Sequence, residues 1–450
     1  MLNNKTFNKI VDILFLLIPF IDFTYSFDFD FADIRLSYLI YLLYFVANIN
    51  LILKKELIYD LLKKSKYLII IFSFIIAISI VNIYLNNDTI FLLSKQVIII
   101  SFVFFTTWLF FYKHKNNIHE IFNLYLNISF VVALIGIFQE LSYLIGFSYG
   151  YDFSYWKAKS QLSNAGIFFR VSSIAGEPSN LVYALSLAFY TALVCFITKQ
   201  EKPILNISKS IVIILCFALT FSLIGYIGIV ISLIFVATIY FKRIKVVKLL
   251  IVLCLFATLF CLGSNTFTMR IAQTSLEIQK VINKQNLNND QQQQWINPSS
   301  YSIILQAKIS FTNFKKHFLF GTGLGSHLVA FNKYYELFHY EKEQKLLHKP
   351  DAASLFLRLL SELGLFGIFL ISFFLLRFNI FLPKYNSNLD FFVILNYGCL
   401  LFIILRLIRC GVYYADGFFI FALVYYYTKK FYIKNKNGQN KQNDFSDSNT

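Results

Sequence analysis

Long apolar runs, separated by short polar breaks, recur from one end of this chain to the other. They show neither the period-two alternation of a half-buried strand nor the single stripe of a surface helix. A helix crossing a hydrocarbon core of about 30 Å needs roughly 20 residues. Twelve runs of suitable length predict membrane helices at approximately 10–27, 34–53, 67–85, 90–112, 119–147, 178–198, 207–222, 224–241, 246–263, 354–377, 389–408 and 410–428. The stretch 207–241 reads as two helices joined near "LTFSLIG". The predicted fold is therefore an all-α polytopic membrane protein. Its segments are a block of nine helices over 1–263 with an outer loop at 148–177, a large extracytoplasmic loop at 264–353, three helices over 354–428, and a cytoplasmic tail at 429–450.

Within the large loop the pattern changes. "NKQNLNNDQQQQWINPSS" has no apolar face and predicts a loose surface segment. After it Ile304, Ala307, Phe311, Phe314 and Phe318 repeat at three- and four-residue spacing, with Gln306, Asn313, Lys315 and Lys316 between them. That is an amphipathic helix, placed either at the membrane interface or over a cavity. The glycines of "FLFGTGLGSH" follow. No strand precedes them and no Lys-Ser/Thr ends the motif, which leaves a tight turn or a backbone that approaches a sugar or phosphate.

Composition agrees: of 450 residues, 57% are hydrophobic and only 14% charged, outside the range of ordinary soluble domains. The net charge of +17 is organised by side. With a cytoplasmic amino terminus, Lys54, Lys55, Lys63, Lys64, Lys66, Lys113, Lys115, Lys199, Lys202, Lys242, Arg243, Lys245, Lys248, Lys429 and Lys430 all fall inside. The loop bearing Asp22, Asp28, Asp30 and Asp33 falls outside, and both termini are cytoplasmic. The basic charge is a topology signal beside an anionic leaflet, not a nucleic-acid footprint. The first apolar run lacks a small-residue cleavage site and reads as the first span. The cysteines at 195, 216, 254, 261, 399 and 410 have no paired spacing, so no disulfide framework or metal knot is expected.

Arginine behaves differently from lysine. Six of the eight arginines, Arg35, Arg170, Arg270, Arg358, Arg406 and Arg409, lie on the outer side or in outer helix ends. Arginine's planar, permanently charged fork suits bidentate binding of phosphate near a low-dielectric region. Arg358 and Glu362 are four apart and share a helix face; Arg406 and Arg409 leave the eleventh span as Asp416 enters the twelfth. Each set is either an internal salt bridge or a functional site. Glu177 precedes Pro178 at the mouth of the sixth span, as a cap or as a reactive carboxylate. His348, Lys349 and Asp351 stand just before the tenth span, where a histidine is either simply solvated or a general base.

In chain order, "FRVSSIAGEPSNLVYAL", "KKHFLFGTGLGSH" and "HKPDAASLFLRLLSELGLFG" resemble the O-antigen polymerases and ligases of bacterial envelope polysaccharide assembly. Lys349 stands where the ligase-type pattern has asparagine, and Phe318 where proline is usual, so polymerase is the closer resemblance. The resemblance implies a glycosyltransferase of the cytoplasmic membrane that needs neither metal nor nucleotide. It would act on undecaprenyl-pyrophosphate-linked glycan at the outer face, with a chain-length regulator membrane protein as a further partner and no nucleic acid. It implies pyrophosphate binding by Arg170 and activation of the attacking hydroxyl by His348 or a nearby carboxylate; the outer-side arginine bias adds Arg270, Arg358, Arg406 and Arg409 as pyrophosphate-binding candidates, and Glu177, Asp351 and Glu362 are the other candidate catalytic residues.

Overall fold

A computed structural model describes the chain apart from residues 1–3, 30–31, 87–89, 116, 157–161, 199–202, 241–243, 263–297, 339–347, 382–386 and 448–450. Helix α1 (Asn4–Ile21) leads to a hairpin of strands β1 (Ser26–Phe29) and β2 (Ala32–Arg35), and then to α2 (Leu36–Ala47), α3 (Ile49–Ile52) and α4 (Lys55–Lys64). Next come α5 (Lys66–Asn86), α6 (Ile90–His114), α7 (Ile118–Leu144) and the short α8 (Ser148–Tyr151). The two-residue strands β3 (Asn164–Ala165) and β4 (Phe168–Phe169) precede α9 (Pro178–Ile197), α10 (Ile207–Leu219), α11 (Leu223–Tyr240) and α12 (Val246–Leu262). The second half holds α13 (Pro298–Lys316), α14 (His327–Phe338), α15 (Leu355–Phe378), α16 (Ser387–Ile408) and α17 (Phe418–Asp447).

A helix overlaps each expected apolar run. Among the described residues, seven are long and apolar enough to cross a membrane: α5, α6, α7, α9, α11, α15 and α16; apolar stretches of α2, α10 and α12 are shorter. The expected break in 207–241 is present at Thr220–Ser222, where Phe221 turns left-handed (φ 42°). Two boundaries move. The acidic loop expected outside is a hairpin, so the first helix stops at Ile21, and Asp416 does not enter the last helix but sits in a non-helical link before Phe418.

The pillar of the molecule is α9, which begins with Pro178 at its first turn and is enclosed by α10, α11, α16 and the end of α1. In a bilayer, close packing supplies much of the driving force that apolar burial supplies in water. Small residues permit it: a Cβ on Gly398 of α16 would lie 2.3 Å from Leu187 Cδ1 of α9. Loops gather at one end, where α1, α5, α7, α10 and α16 finish and α2, α6, α9, α11, α15 and α17 begin. Val171 N–H on Leu219 O (3.1 Å), Thr24 Oγ1 on Ile174 O (2.6 Å) and Tyr183 Oη on Arg409 O (3.1 Å) tie those ends together.

Candidate active site

The site is built on a broken helix. Ser354 caps α15 by accepting from Leu357 N–H (3.3 Å) and donates to Leu407 O (2.7 Å). Nearly three turns later Gly364 takes a left-handed φ of 61° with ψ −146°, which breaks the ladder and leaves backbone groups to be satisfied. The glycine turn supplies them. Thr322 N–H reaches Ser361 O (3.3 Å) and Gly323 N–H reaches Glu362 O (2.8 Å); Leu365 and Phe366 donate to Phe318 O (2.9 Å) and Leu319 O (3.0 Å). A Cβ on Gly321 would sit 2.4 Å from the Glu362 carbonyl carbon, and one on Gly364 2.6 Å from Phe318 O, so this junction admits only glycine at both positions.

The rest of the turn is held by side chains. Leu324 N–H donates to Ser79 Oγ (2.9 Å), Gly325 N–H to Glu362 Oε2 (2.9 Å) and His327 N–H to Glu362 Oε1 (3.4 Å). The amides from Thr322 to His327 thus all have protein acceptors, Ser326 N–H binding Gly323 O at 3.2 Å. Of the two readings of "FGTGLG", the structural turn is the one present: no amide is left to cradle a phosphate.

Glu362 is fully buried and also accepts from Arg358 Nε (2.9 Å) and Tyr413 Oη (2.8 Å). Arg358 continues to Gly411 O (3.0 Å), with its guanidinium 4.3 Å above the Tyr413 ring. This corrects two sequence expectations. Glu362 has donors on both oxygens and no access for a substrate hydroxyl, so it organises the junction; Arg358 is spent on Glu362 and a carbonyl.

A chain of buried amides and a neutral histidine connects this junction to the loop before α15. Asn313 Nδ2 bridges Thr322 Oγ1 (2.9 Å), Ser361 Oγ (3.0 Å) and Ser361 O (3.0 Å). Gln306 Nε2 donates to His348 O (2.9 Å), which turns Gln306 Oε1 toward His327 Nε2 (2.8 Å). His327 Nε2 must therefore carry the proton, and Nδ1 accepts from Ser361 Oγ (3.1 Å). Burial, reinforced by the charge of Arg358, pushes His327 down to about 3.

The loop so held ends in His348 and Asp351. His348, Ala352 and Ala353 all have left-handed backbones (φ 63°, 56° and 57°), a conformation costing about 1–3 kcal/mol per residue and kept only where surroundings enforce it. Ala353 N–H on Asp351 Oδ1 (3.2 Å) and Cys410 N–H on Ala353 O (2.7 Å) provide that enforcement. Asp351 Oδ1 lies 3.0 Å from His348 Nδ1. Burial alone raises the Asp351 carboxyl, but the hydrogen bond and charge of His348 outweigh it and bring the group down to about 2. Held as a carboxylate, it orients the imidazole with Nε2 turned away; the His348 side chain is 32% exposed.

A second cluster adjoins through the link 409–417. Arg406, 0% exposed, donates to Asp416, Val412 O and Cys410 Sγ. Asp416 N–H donates to Asp22 Oδ2 (2.7 Å), which also lies 3.6 Å from Arg35 Nη1, while Ser37 donates to Asp22 Oδ1. The expectation that Arg406 meets a pyrophosphate therefore gives way to internal pairing, because the guanidinium is enclosed.

Three further candidates stand nearer solvent. Arg170 is half-buried, donating through Nε to Phe221 O (3.2 Å) and Nη1 to Ser163 Oγ (3.2 Å). Glu177 is exposed at the start of α9; it does not cap the helix backbone but accepts from Ser179 Oγ (3.3 Å). Arg409 is half-buried. Arg270 lies outside the described residues. Sequence reading missed Gln139 and Glu140 on α7. Gln139 Oε1 accepts from Ser172 (3.0 Å) and Ser173 (2.8 Å), and Glu140 from Phe169 N–H (3.2 Å), which fixes the strand that presents Arg170. A glutamate within an apolar run was the available signal.

Residues 210–372 match the family described as O-antigen ligase. That stretch runs from α10 past the break of α15 and contains the glycine turn, His348, Asp351, Arg358 and Glu362; Arg170, Glu177, Arg406 and Arg409 lie outside it. No curated protein matches the chain. The family similarity is confined to residues 210–372, and the apolar helices support a multi-pass membrane protein.

Proposed function

We propose that this chain polymerises undecaprenyl-pyrophosphate-linked repeat units into an O-antigen or capsular-type polysaccharide. It works at the outer face of the bacterial cytoplasmic membrane, which it spans twelve times with both termini inside. The observation that carries the reading is the Asp351–His348 pair, held by a strained loop at the mouth of an arginine-rich end and within the matched segment. Asp351 accepts from His348 Nδ1–H, so Nε2 offers a lone pair to a sugar hydroxyl of the acceptor. The hydroxyl oxygen attacks the anomeric carbon of the donor as its proton passes to Nε2. The bond from that carbon to the pyrophosphate oxygen breaks, and the lipid pyrophosphate departs with the electron pair.

Charge builds on the leaving oxygen, where preorganised cations lower the barrier. Arg170 and Arg409, with Arg270 from the long loop, fill that role here; Arg358 and Arg406 keep the scaffold in place. Glu177 sets a negative boundary that steers the acceptor hydroxyl. The reaction as drawn uses no metal and no nucleotide. Polymerase is preferred because Lys349 and Phe318 depart from the ligase-type pattern; the description of the matched family favours ligation as the second reading.

The test is turnover by purified protein in liposomes holding lipid-linked repeat units and EDTA, resolved by glycan length. Polymerisation gives a ladder and free lipid pyrophosphate. A single addition to a non-repeat acceptor selects ligation, and movement of intact donor across the bilayer without transfer rejects both.

A further inference from the structure

The helical pair α13–α14 is arranged inside out for a segment bathed in water. α13 turns Ser302, Gln306, Ser310 and Asn313 into the protein beside Leu305 and Ile309, and all six are buried. Its other face carries Ile304, Ala307 and Phe314 half-exposed and Phe311 46% exposed. The turn continues that face, with Phe318 50% and Leu319 57% exposed. In water the two faces would be exchanged, since buried amides cost free energy unless paired and exposed phenyl rings gain nothing. Here the amides are paired and the rings are bare, which points to an apolar medium outside.

The level of the turn agrees. α13 descends alongside α15, with Asn313 opposite Ser361 and Phe318–Leu319 opposite Leu365–Phe366. α14 returns against it through Phe331 and Tyr334, which pack with Leu305 and Ile309. The tip lies within the ends of the spans: Leu324 is bonded to Ser79 of α5, and Gly325 abuts Leu92 and Gln96 of α6. Phe320 rests on Phe74 and Phe366, ring centroids 6.1 and 5.9 Å away, and Phe74 is itself an exposed residue of the loosely packed span α5. The aromatic face thus joins the apolar band of the spans. Lys315 and Lys316, between Phe311 and Phe318 on the descending helix, and Lys95, beside the tip, are exposed, and Lys308 and Lys315 border a groove of about 390 Å³ with Phe311; lysine stems can lie along such an apolar face while their ammonium groups reach toward lipid phosphates.

We infer that residues 298–338 form a re-entrant hairpin whose tip is inserted in the outer leaflet, with phospholipid acyl chains covering Phe311, Phe318 and Leu319. A segment expected at the membrane interface or over a cavity then enters the membrane at its tip, which non-helical backbone tolerates only where protein satisfies it, as Glu362 and Ser79 do for this turn. The inference is independent of the glycan chemistry.

Phe318→Trp and, separately, Phe311→Trp in the full chain, reconstituted in phospholipid liposomes free of polyprenyl lipid, provide the test. The parent's tryptophan signal is subtracted. The added emission is expected to be blue-shifted, to be lost when the acyl chains carry bromine, and to be indifferent to iodide in the buffer. Loss to iodide would place the rings in water and overturn the inference. Insensitivity to both quenchers would show a protein cover and overturn it equally, as would bromine quenching that appears only after polyprenyl phosphate is added.

Discussion

Arg406–Asp416 and Arg358–Glu362 are the same chemical pair at neighbouring places, yet they are wired differently. The first is enclosed, and its remaining bonds end on Val412 O, Cys410 and Asp22. The second shares its carboxylate with Tyr413 and two amides of the glycine turn, and the turn leads through His327 and Gln306 to the half-buried His348. Burial of a salt bridge therefore says little about function. What matters is where its other hydrogen bonds go: those of one pair end inside the protein, with Arg406 Nε and Asp416 Oδ1 buried and unsatisfied, and those of the other set the position of a side chain that meets solvent.

The largest expected effect treats the two pairs alike. Glu362→Leu or Asp416→Leu leaves a buried guanidinium unpaired and should cost about 3–5 kcal/mol, read as thermal unfolding of detergent-solubilised protein. A loss under 1 kcal/mol for either would mean that its arginine finds other partners at no cost.

The difference between the pairs and the more exposed arginines comes next. Arg170→Lys keeps the charge but loses the fork, and polymer output per folded molecule should fall roughly a hundredfold, about 3 kcal/mol in barrier. Unchanged output from Arg170→Ala would return that residue to a structural role at the α10–α11 break.

A smaller effect isolates the relay. The folded-state value of His327 lies below its unfolded value, so its contribution is complete above the ordinary range and is lost as pH falls through it. Stability should drop by about 2 kcal/mol between about pH 6.5 and about pH 5 through this one group. His327→Gln, which bonds but does not titrate in this range, should flatten that part of the pH profile. An unchanged slope would show that another group sets it.

Much of the frame was legible in the sequence because an apolar run long enough to cross a bilayer has few other folds open to it. Glu-Pro at 177–178 correctly placed the start of α9, and Arg358 with Glu362 at four-residue spacing correctly paired on one face. The connections were not legible. Asn313 with Ser361, Gln306 with His348 and Glu362 with Tyr413 lie between 42 and 51 residues apart, and nothing in their local pattern names the partner. His327 opens α14 and is fully buried, and nothing in the local pattern "GTGLGSH" signals either. Periodicity found α13 but could not say which face turns inward, because the pattern does not report the medium around it.

In the proposed reaction His348 takes the proton of the attacking hydroxyl, whereas Arg406 only supports the frame. Single-turnover transfer from lipid-linked donor, measured per folded molecule for His348→Ala and Arg406→Met, tests it directly. A loss of about 10²–10⁴-fold is expected for His348→Ala, with little change in unfolding temperature. The reverse is expected for Arg406→Met: less folded protein, each molecule transferring at close to the parental rate. Parental transfer by His348→Ala would contradict the account.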